Sequence, residues 1–455
     1  MASVDVQVAH IWRRLGFGGT RAELDAGVAK GPQAVIADLL SRPPIVATAA
    51  SPNPWGWPAG TDYIAAGLAM TRQLELMAFG PNTSGTATTA VNYNPLQERM
   101  AWVLQGLLVV GISDFVYFPD EIDHINTLRG ATTGSYKQLL QTITTRPGMV
   151  KYLNLFTSTA AHPNENYARE LMELFALGRV NLYDNAANYT QGDVHELARA
   201  LTGWQYNYAT GAVSFNVAQW DPGVKTFRGK SLGAAKLPEV INAIASHPAW
   251  PYFVPARIYR ELTGLTATKA VLDALAPVWG ATGDLASLVA AIAARPEFLS
   301  DQAIFTKVKS PVELVVSSAR LLGWTPGGKD MGWEMTQLNQ HPFTPPNVGG
   351  WFKGDQWLNT TNLLRWATLA NTLAMKGFNW AGTVLSPVNP TATQVFSNST
   401  AATSAGYVLH LAGLDNASST TKAKLGDYAA SGPWSLWRAA GLLNLLLVSP
   451  EWLCC

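Results

Sequence analysis

The chain has 455 residues, 14% of them charged and 48% hydrophobic, with 17 Trp and a formal net charge of +1. That is well under the roughly 25% charged residues of an average soluble domain, and it leaves no electrostatic footprint for nucleic acid or an anionic membrane. The length suffices for one large core or two lobes, and low charge with many Trp suits a large helical core, an exported protein or a stacking surface for sugars.

The first twenty residues hold no apolar h-region and no cleavage site, so no secretory signal is read there. A cytoplasmic protein and one whose signal has been removed both remain open. Thr20 and Glu23 form a capping box that opens a helix, and Gly31 closes it. Pro32 then sits in the first turn of the next helix. Residues 62–79 read as a helix closed by Gly80, and 95–110 and 119–129 as two more. The apolar run Leu104–Val116 is too short and too broken by Gln105, Ser113 and Asp114 for a bilayer span, and it reads as a buried helix. Asp120, Glu121, Asp123 and His124 cluster at a helix start, where a solvated, dipole-favoured first turn explains them better than a metal.

The stretch His162–Gly178 is the densest in polar groups. Tyr167, Leu171 and Leu174 form one apolar row and Ala168, Met172 and Phe175 a second, so a helix buried on more than one side is expected. Asn164 suits the N-cap, Glu165 the positive end of the dipole, and Glu165–Arg169 and Arg169–Glu173 are i, i+4 pairs. Asn166, Glu170 and Glu173 share the remaining strip. A structural network accounts for most of these residues. A catalytic reading makes Glu170 a general acid or base with Glu165 or Asp221 as its partner, because burial raises a carboxyl pKa toward the useful range.

Thr190 and Asp193 form another capping box, opening a helix through Leu201 that stops at Gly203. Trp204–Tyr208 and Ala212–Val217 fit a small hairpin around Gly211. Asp221 and Lys225 follow in a turn-rich loop. They are either site residues or a plain Asp-Pro-Gly turn with a solvated lysine. The runs 139–149, 288–298 and 442–452 each read as an apolar helix broken at a proline, which marks a sharp corner. Loops are expected at 43–60, 80–94, 205–235, 324–362 and 379–402. The loop Gln340–Trp357 carries Asn347, Trp351 and Trp357, either a sugar-binding surface of aromatic faces beside amides or tryptophans packed into the body; Trp55 and Trp57 carry the same ambiguity.

No HxH, HExxH, GxSxG, Walker or strand-linked GxGxxG motif occurs, and the only cysteines are Cys454 and Cys455 at the end of the chain. No metal ligand set and no cofactor are assigned. The fold expected is all-α: one multi-helix body over residues 1–455 with long Pro/Gly/Trp-rich loops and at most a small β-hairpin, divisible into lobes 1–230 and 231–455.

Six segments resemble the bacterial domain-of-unknown-function 1800 family: AHIWRRLGFGGTRAELD (9–25), NENYARELMELFALG (164–178), YTQGDVHELARALTGW (189–204), DPGVKTFRG (221–229), VKSPVELVVSSARLLG (308–323) and PFTPPNVGGWFKGDQW (342–357). The resemblance runs over almost the whole chain and implies a mostly helical, often exported protein without an established activity. It also implies a departure. Where the family commonly has W-x-W-H-x-H-F, this chain has Trp102-Val-Leu-Gln105-Gly-Leu107-Leu, and where it has H-D-x-G-x-K, this chain has Trp220 before Asp221. Three imidazoles suited to a transition metal are thus missing together.

The function expected is a non-catalytic binding or scaffold protein for a glycan or cell-surface polymer. The binding residues are His162, Asn164, Asn166, Arg169, Lys225, Asn347, Trp351 and Trp357. The alternatives are a carboxylate-dependent hydrolase of a polysaccharide using Glu165, Glu170 and Asp221, and a metal-dependent enzyme. No nucleic-acid partner and no membrane span are expected, and the oligomeric state is open.

Overall fold

A computed structural model describes residues 2–47, 53–59, 63–81, 93–113, 116–323, 331–377, 379, 382–384 and 388–454 of the chain. Cys455 and parts of the loops expected at 43–60, 80–94, 324–362 and 379–402 lie outside the described residues. Within them the chain is all-α in character, with twenty-two α-helices and two small antiparallel hairpins. No described helix is long and apolar enough to cross a membrane.

Local signals set the helix ends. Thr20 caps the helix Arg21–Lys30 through a full capping box, and Gly31 follows at φ 85°. Thr190 does the same for Gln191–Ala200, and Ser310 for Pro311–Leu322. At each proline corner the ring opens the next short element: Pro147–Tyr152 after Tyr136–Thr144, the 3-10 turn Pro296–Leu299 after Leu285–Ala293, and Pro450–Leu453 after Leu436–Leu447. A proline at a helix start gives up an N–H that has no partner there anyway.

Strands β1 (Trp204–Tyr206) and β2 (Val213–Phe215) form the expected hairpin. A second hairpin was not expected: β3 (Lys225–Phe227) and β4 (Lys230–Gly233), joined by Arg228-Gly229. Both turn residues have positive φ, 52° and 75°, as a two-residue mirror-image turn requires. Arginine is an unusual choice for the first position. Its backbone N–H is fixed by Asp193 Oδ1 at 2.6 Å, a tertiary bond that no local pattern announces.

In the run Leu104–Val116, of which residues 114–115 lie outside the described residues, Leu104, Gln105, Leu107–Val110 and Val116 are buried, but the run is not the helix expected. The helix Pro95–Gln105 stops at Gly106, and Leu107–Val110 continue as irregular buried chain. Tertiary bonds replace helical ones there, since Ile112 N–H donates to the Phe343 carbonyl at 2.8 Å and His124 Nε2 to the Leu108 carbonyl at 2.7 Å. Gly111 permits the close approach of this partner loop, because a Cβ on it would lie 2.6 Å from Pro345 Cδ.

The buried apolar residues fall into two clusters. The first draws on helices from Val4–Arg14 through Leu285–Ala293. The second is built mainly from Tyr63–Phe79, Pro311–Leu322, Thr360–Ala374 and Leu436–Leu447. Residue 230, where two lobes were expected to meet, lies within the chain span of the first cluster. The helix Pro95–Gln105 serves both: Met100, Val103 and Leu104 point into the first, Trp102 into the second.

The acidic start of the helix Phe118–Gly130 corrects another expectation. It is not a solvated turn. Asp120 is buried and ion-paired with the fully buried Lys151, while Glu121 and His124 are both 0% exposed. Neither Glu121 oxygen has a hydrogen-bond partner among the described residues. Burial first, and Asp120 second, push its carboxyl well above the ordinary range. Such a group keeps its proton when folded and loses it when unfolded, so its contribution is complete below the unfolded pKa of about 4.3 and declines as pH rises. Glu121→Gln is expected to flatten that decline. It should exceed the parent in stability at pH 8 by on the order of 1–3 kcal/mol, with little difference at pH 4, as read from urea unfolding at the two pH values.

Candidate functional site

The helix of the polar stretch His162–Gly178 spans Glu165–Glu173. Asn164 is its N-cap, accepting from the Asn166 N–H at 3.0 Å, and its amide donates to Thr157 Oγ1 at 3.0 Å. Tyr167, Ala168, Leu171 and Met172 are buried, as the two apolar rows predict. Glu165 is the hub of the polar side. Arg169 Nη2 (3.0 Å) and Gln191 Nε2 (2.7 Å) donate to Oε2, and His195 Nδ1 lies 3.4 Å from Oε1. The expected Arg169–Glu173 pair is not formed. Arg169 turns to Glu165 and Gln191, and Glu173 takes the Tyr189 hydroxyl at 3.4 Å. Asn166 and His162 are exposed, and Glu170 is half-buried. Burial, then Glu173, raise the Glu170 carboxyl, with Arg169 opposing them.

Asp221, in the loop before β3, is fastened to a different part of the helix Gln191–Ala200. Arg199 grips it in a fork, Nε at 2.7 Å and Nη2 at 3.3 Å, the Gly223 N–H donates at 2.7 Å, and Lys225 Nζ stands 3.5 Å away. The guanidinium of Arg199, more than the backbone N–H, holds its carboxyl below the ordinary range against a smaller opposing effect of burial. Lys225 is not the solvated lysine of a plain turn. It is fully buried, 4.7 Å from the Trp220 ring and bonded to the Asp221 carbonyl. Glu196 completes the unit, receiving Arg199 Nη1 at 2.8 Å and the Thr226 N–H at 2.9 Å. Glu165 and Asp221 are thus fastened to successive turns of one helix, and no hydrogen bond or ion pair joins either to Glu170. As it stands, Asp221 is ionised and its lone pairs are taken, which suits an anchor for the β3–β4 hairpin.

Two other expected residues meet elsewhere. Trp351 and Trp357, both buried, line a cavity of about 610 Å3 between the two apolar clusters. Its aromatic wall includes Trp102, stacked on Trp351 at 5.1 Å and 26°, and Phe352, edge-on to Trp357 at 5.5 Å and 47% exposed. Phe253, Val103, Leu107 and Leu174 complete the apolar lining. Leu174 brings the polar stretch His162–Gly178 to this wall, and its carbonyl accepts from Arg257 Nη1 at 2.7 Å. Asn347 is exposed and holds only its own loop, through the Gly349 N–H at 2.8 Å.

Charge enters the cavity from residues that the sequence patterns did not single out. Lys307 Nζ bridges Glu313 (2.7 Å) and Glu261 (3.1 Å), and Arg99 pairs with Glu313 from behind. Burial acting alone would raise both carboxyls. Lys307 reverses this for Glu261, and Lys307 with Arg99 holds Glu313 well below the ordinary range. Arg257, Arg260, Lys353 and Asp355 line the same space. One signal was readable: Ser310-Pro311-Val312-Glu313 is a capping box with proline at N1, which places Glu313 at a helix start. The other partners come from segments far apart in sequence.

The three positions where the resemblance implied imidazoles offer no metal site. Gln105 is locked between Gln73 (2.7 Å) and the Pro342 carbonyl (2.9 Å), Leu107 lines the cavity, and Trp220 lies between Lys225 and Lys236 at 4.7 and 4.6 Å. Among the described residues no group of three or more His, Cys, Asp or Glu side chains is arranged to hold a metal ion. The residues present therefore do not fit one.

The fold and its cavity define a large all-α protein with an ionic seam between two apolar clusters. The chain belongs to the family described as Protein of unknown function (DUF1800), whose model matches residues 10–454. Neither the curated proteins nor the solved structures contain a match to it.

Removing Asp221 leaves the buried Lys225 without its carboxylate and Arg199 with Glu196 alone. Asp221→Ala is expected to lower unfolding free energy at pH 7 by about 1–3 kcal/mol. Because the folded pKa is depressed, the contribution is present above the unfolded value of about 3.9 and lost as pH falls below it, so parent and variant should converge under acid in denaturant titrations.

Proposed function

We propose that this protein is a non-catalytic binding protein for a glycan or cell-surface polymer, and that the cavity beside Phe352 holds one of its sugar units. The observation that carries the reading is the pairing of aromatic faces with charged groups in one cavity open to solvent. Its volume falls within the roughly 300–1,000 Å3 typical of small-ligand sites. Trp102, Trp351 and Trp357 form a rigid floor, and the exposed ring of Phe352 at the edge is free to stack on the apolar face of a sugar. The carboxylates inside the cavity argue against hydrolysis there. Glu261 and Glu313 are ionised and held by Lys307, so neither has a proton for a leaving group.

A carboxylate-dependent hydrolase is the second reading. It is favoured by one observation, the raised carboxyl of the half-buried Glu170. Its proposed partners Glu165 and Asp221 are engaged with Arg169 and Arg199. Under this reading Glu170→Gln abolishes polysaccharide cleavage and leaves the melting temperature in place.

Under the binding reading the parent retains polysaccharides in affinity electrophoresis and releases no reducing ends from them. Phe352→Ala should weaken that retention about tenfold, since an exposed aromatic contact is worth on the order of 1 kcal/mol beyond its area and the ring has little share in folding. Retention unchanged in Phe352→Ala would remove the cavity from the binding site.

A further inference from the structure

The charges around the cavity do not balance. Arg99 and Lys307 neutralise Glu313 and Glu261. That leaves Arg257, Arg260 and Lys353 in the lining, against the exposed Asp355 alone. None of the three cations has an ion-pair partner among the described residues. Arg257 spends one N–H on the Leu174 carbonyl, which orients its fork without neutralising it. Arg257 and Arg260 are three residues apart on the helix Phe253–Thr263 and so share a face. Arg260 reaches across to the loop that carries Lys353, since a Cβ on Gly354 would lie 3.7 Å from its Nη2.

We propose that the sugar unit taken by this cavity is acidic, with a carboxylate or phosphate oxyanion held by Arg257, Arg260 and Lys353 while its ring stacks against Phe352. This rests on the glycan-binding reading above and narrows it to one ligand chemistry. Like charges brought together without counter-charge repel one another, and an oxyanion removes that repulsion while it gains charge-assisted hydrogen bonds from the guanidinium forks. Lys353 already registers the crowding. It keeps contact with solvent, yet the protein around its ammonium first, and then Arg257 and Arg260, bring its pKa down to about 8 against the pull of Glu261. Bound anion would restore it. The seam below explains the position of the site: Glu313 is paired with both Lys307 and Arg99, and Glu261 is bound to Lys307 and attracts Arg257 and Lys353 only from beyond ion-pair distance.

The test uses the full chain and titration calorimetry with four probes: a hexuronate oligomer, an uncharged glucan oligomer of equal length, a hexose phosphate and inorganic phosphate. The expected result is that the hexuronate or the hexose phosphate binds at least about tenfold more tightly than the uncharged oligomer and than inorganic phosphate. Which of the two does so identifies the oxyanion. Arg260→Gln and Lys353→Gln, both at exposed positions, should each weaken the acidic ligand at least about fivefold, leave any binding of the uncharged oligomer unchanged, and reduce the salt dependence.

Equal binding of charged and uncharged oligomers, with both substitutions silent, overturns the acidic inference and leaves the glycan reading standing. Inorganic phosphate binding as tightly as the hexose phosphate, with Phe352→Ala silent, overturns the inference and the glycan reading together, because the ring then contributes nothing. Failure of every probe overturns the acidic inference too. Retention of other polysaccharides, sensitive to Phe352→Ala, would then decide whether the broader reading survives. Melting curves of the two variants matching the parent exclude misfolding as the cause of any loss.

Discussion

The contact on which the rest of this structure depends is the ionic seam Arg99–Glu313–Lys307–Glu261, buried at Arg99 and Glu313 and partly exposed at Lys307 and Glu261. It joins three helices from distant parts of the chain, Pro95–Gln105, Pro311–Leu322 and Phe253–Thr263, together with the segment that carries Lys307. The first of these helices packs into both apolar clusters, so fixing Arg99 fixes how the clusters meet. Arg99 also donates to the carbonyls of Gly16 (2.7 Å) and Arg13 (2.9 Å), which ties in the end of the first helix. Buried ion pairs rarely add much net stability over well-packed apolar groups, because desolvation offsets the attraction. Their effect is on specificity. Apolar faces slide past one another at little cost, whereas a misplaced Glu313 would leave a charge unpaired in the interior. The cavity lies along this seam, where helices held at set spacing by charged side chains do not close over the gap.

The same logic acts on a smaller scale around the helix Gln191–Ala200. Its N-terminal turn receives Glu165 and Arg169 through Gln191, and its C-terminal turn receives Asp221 through Arg199. The helix Glu165–Glu173 and the β3–β4 hairpin are thus both registered against one rod. This explains why so many polar residues are concentrated there in a chain poor in charge. Glu165 and Asp221 are answered by cations and amides and Glu173 by the Tyr189 hydroxyl, and the strip Asn166–Glu170–Glu173 stays partly in water. Glu170 is the exception, with burial and Glu173 acting in the same direction upon it.

Much of the fold is legible in the sequence because helix ends are chemically local. Thr20, Thr190 and Asn164 cap within three residues of themselves, and prolines 147, 296 and 450 open elements whatever lies elsewhere. Where the determinant is distant, the reading departs from the structure. Leu104–Val116 has the composition of a helix, but its carbonyls and N–H groups are satisfied by His124 and Phe343, and Gly111 admits Pro345. The Arg228-Gly229 turn depends on Asp193, thirty-five residues earlier in the chain. The acidic start at Asp120–His124 is a favourable first turn by every local rule, and only packing against Lys151 and the irregular strand of chain at Leu108 shows that it is interior. The cavity was half visible. Trp351 and Trp357 stand out in a loop rich in proline and glycine, whereas Arg257, Arg260, Lys307 and Glu313 read as ordinary residues of amphipathic segments until the fold gathers them.

A low fraction of charged residues need not mean a chain with little electrostatics. Here Arg14, Arg99, Arg129, Lys151, Lys225 and Arg320 are all nearly or fully buried. Among them Arg129 meets Glu98 at 2.9 Å and Arg320 meets Glu23. Lys151 and Arg99 have Asp120 and Glu313, and Lys225 has Asp221. Inside a low-dielectric body such pairing is close to obligatory, because an unpaired ion costs several kcal/mol. That makes departures from pairing informative. Glu121 departs by holding its proton, a solution open to a carboxylic acid in the interior. Arg257, Arg260 and Lys353 are a different case: Arg257 is half-buried and the other two are exposed, they share one lining beside exposed aromatic surface, and arginine cannot shed its proton at any physiological pH. Water reaches these three and lowers the cost of leaving them unpaired, and under the proposal made above an incoming oxyanion takes the place that a carboxylate of the chain takes elsewhere.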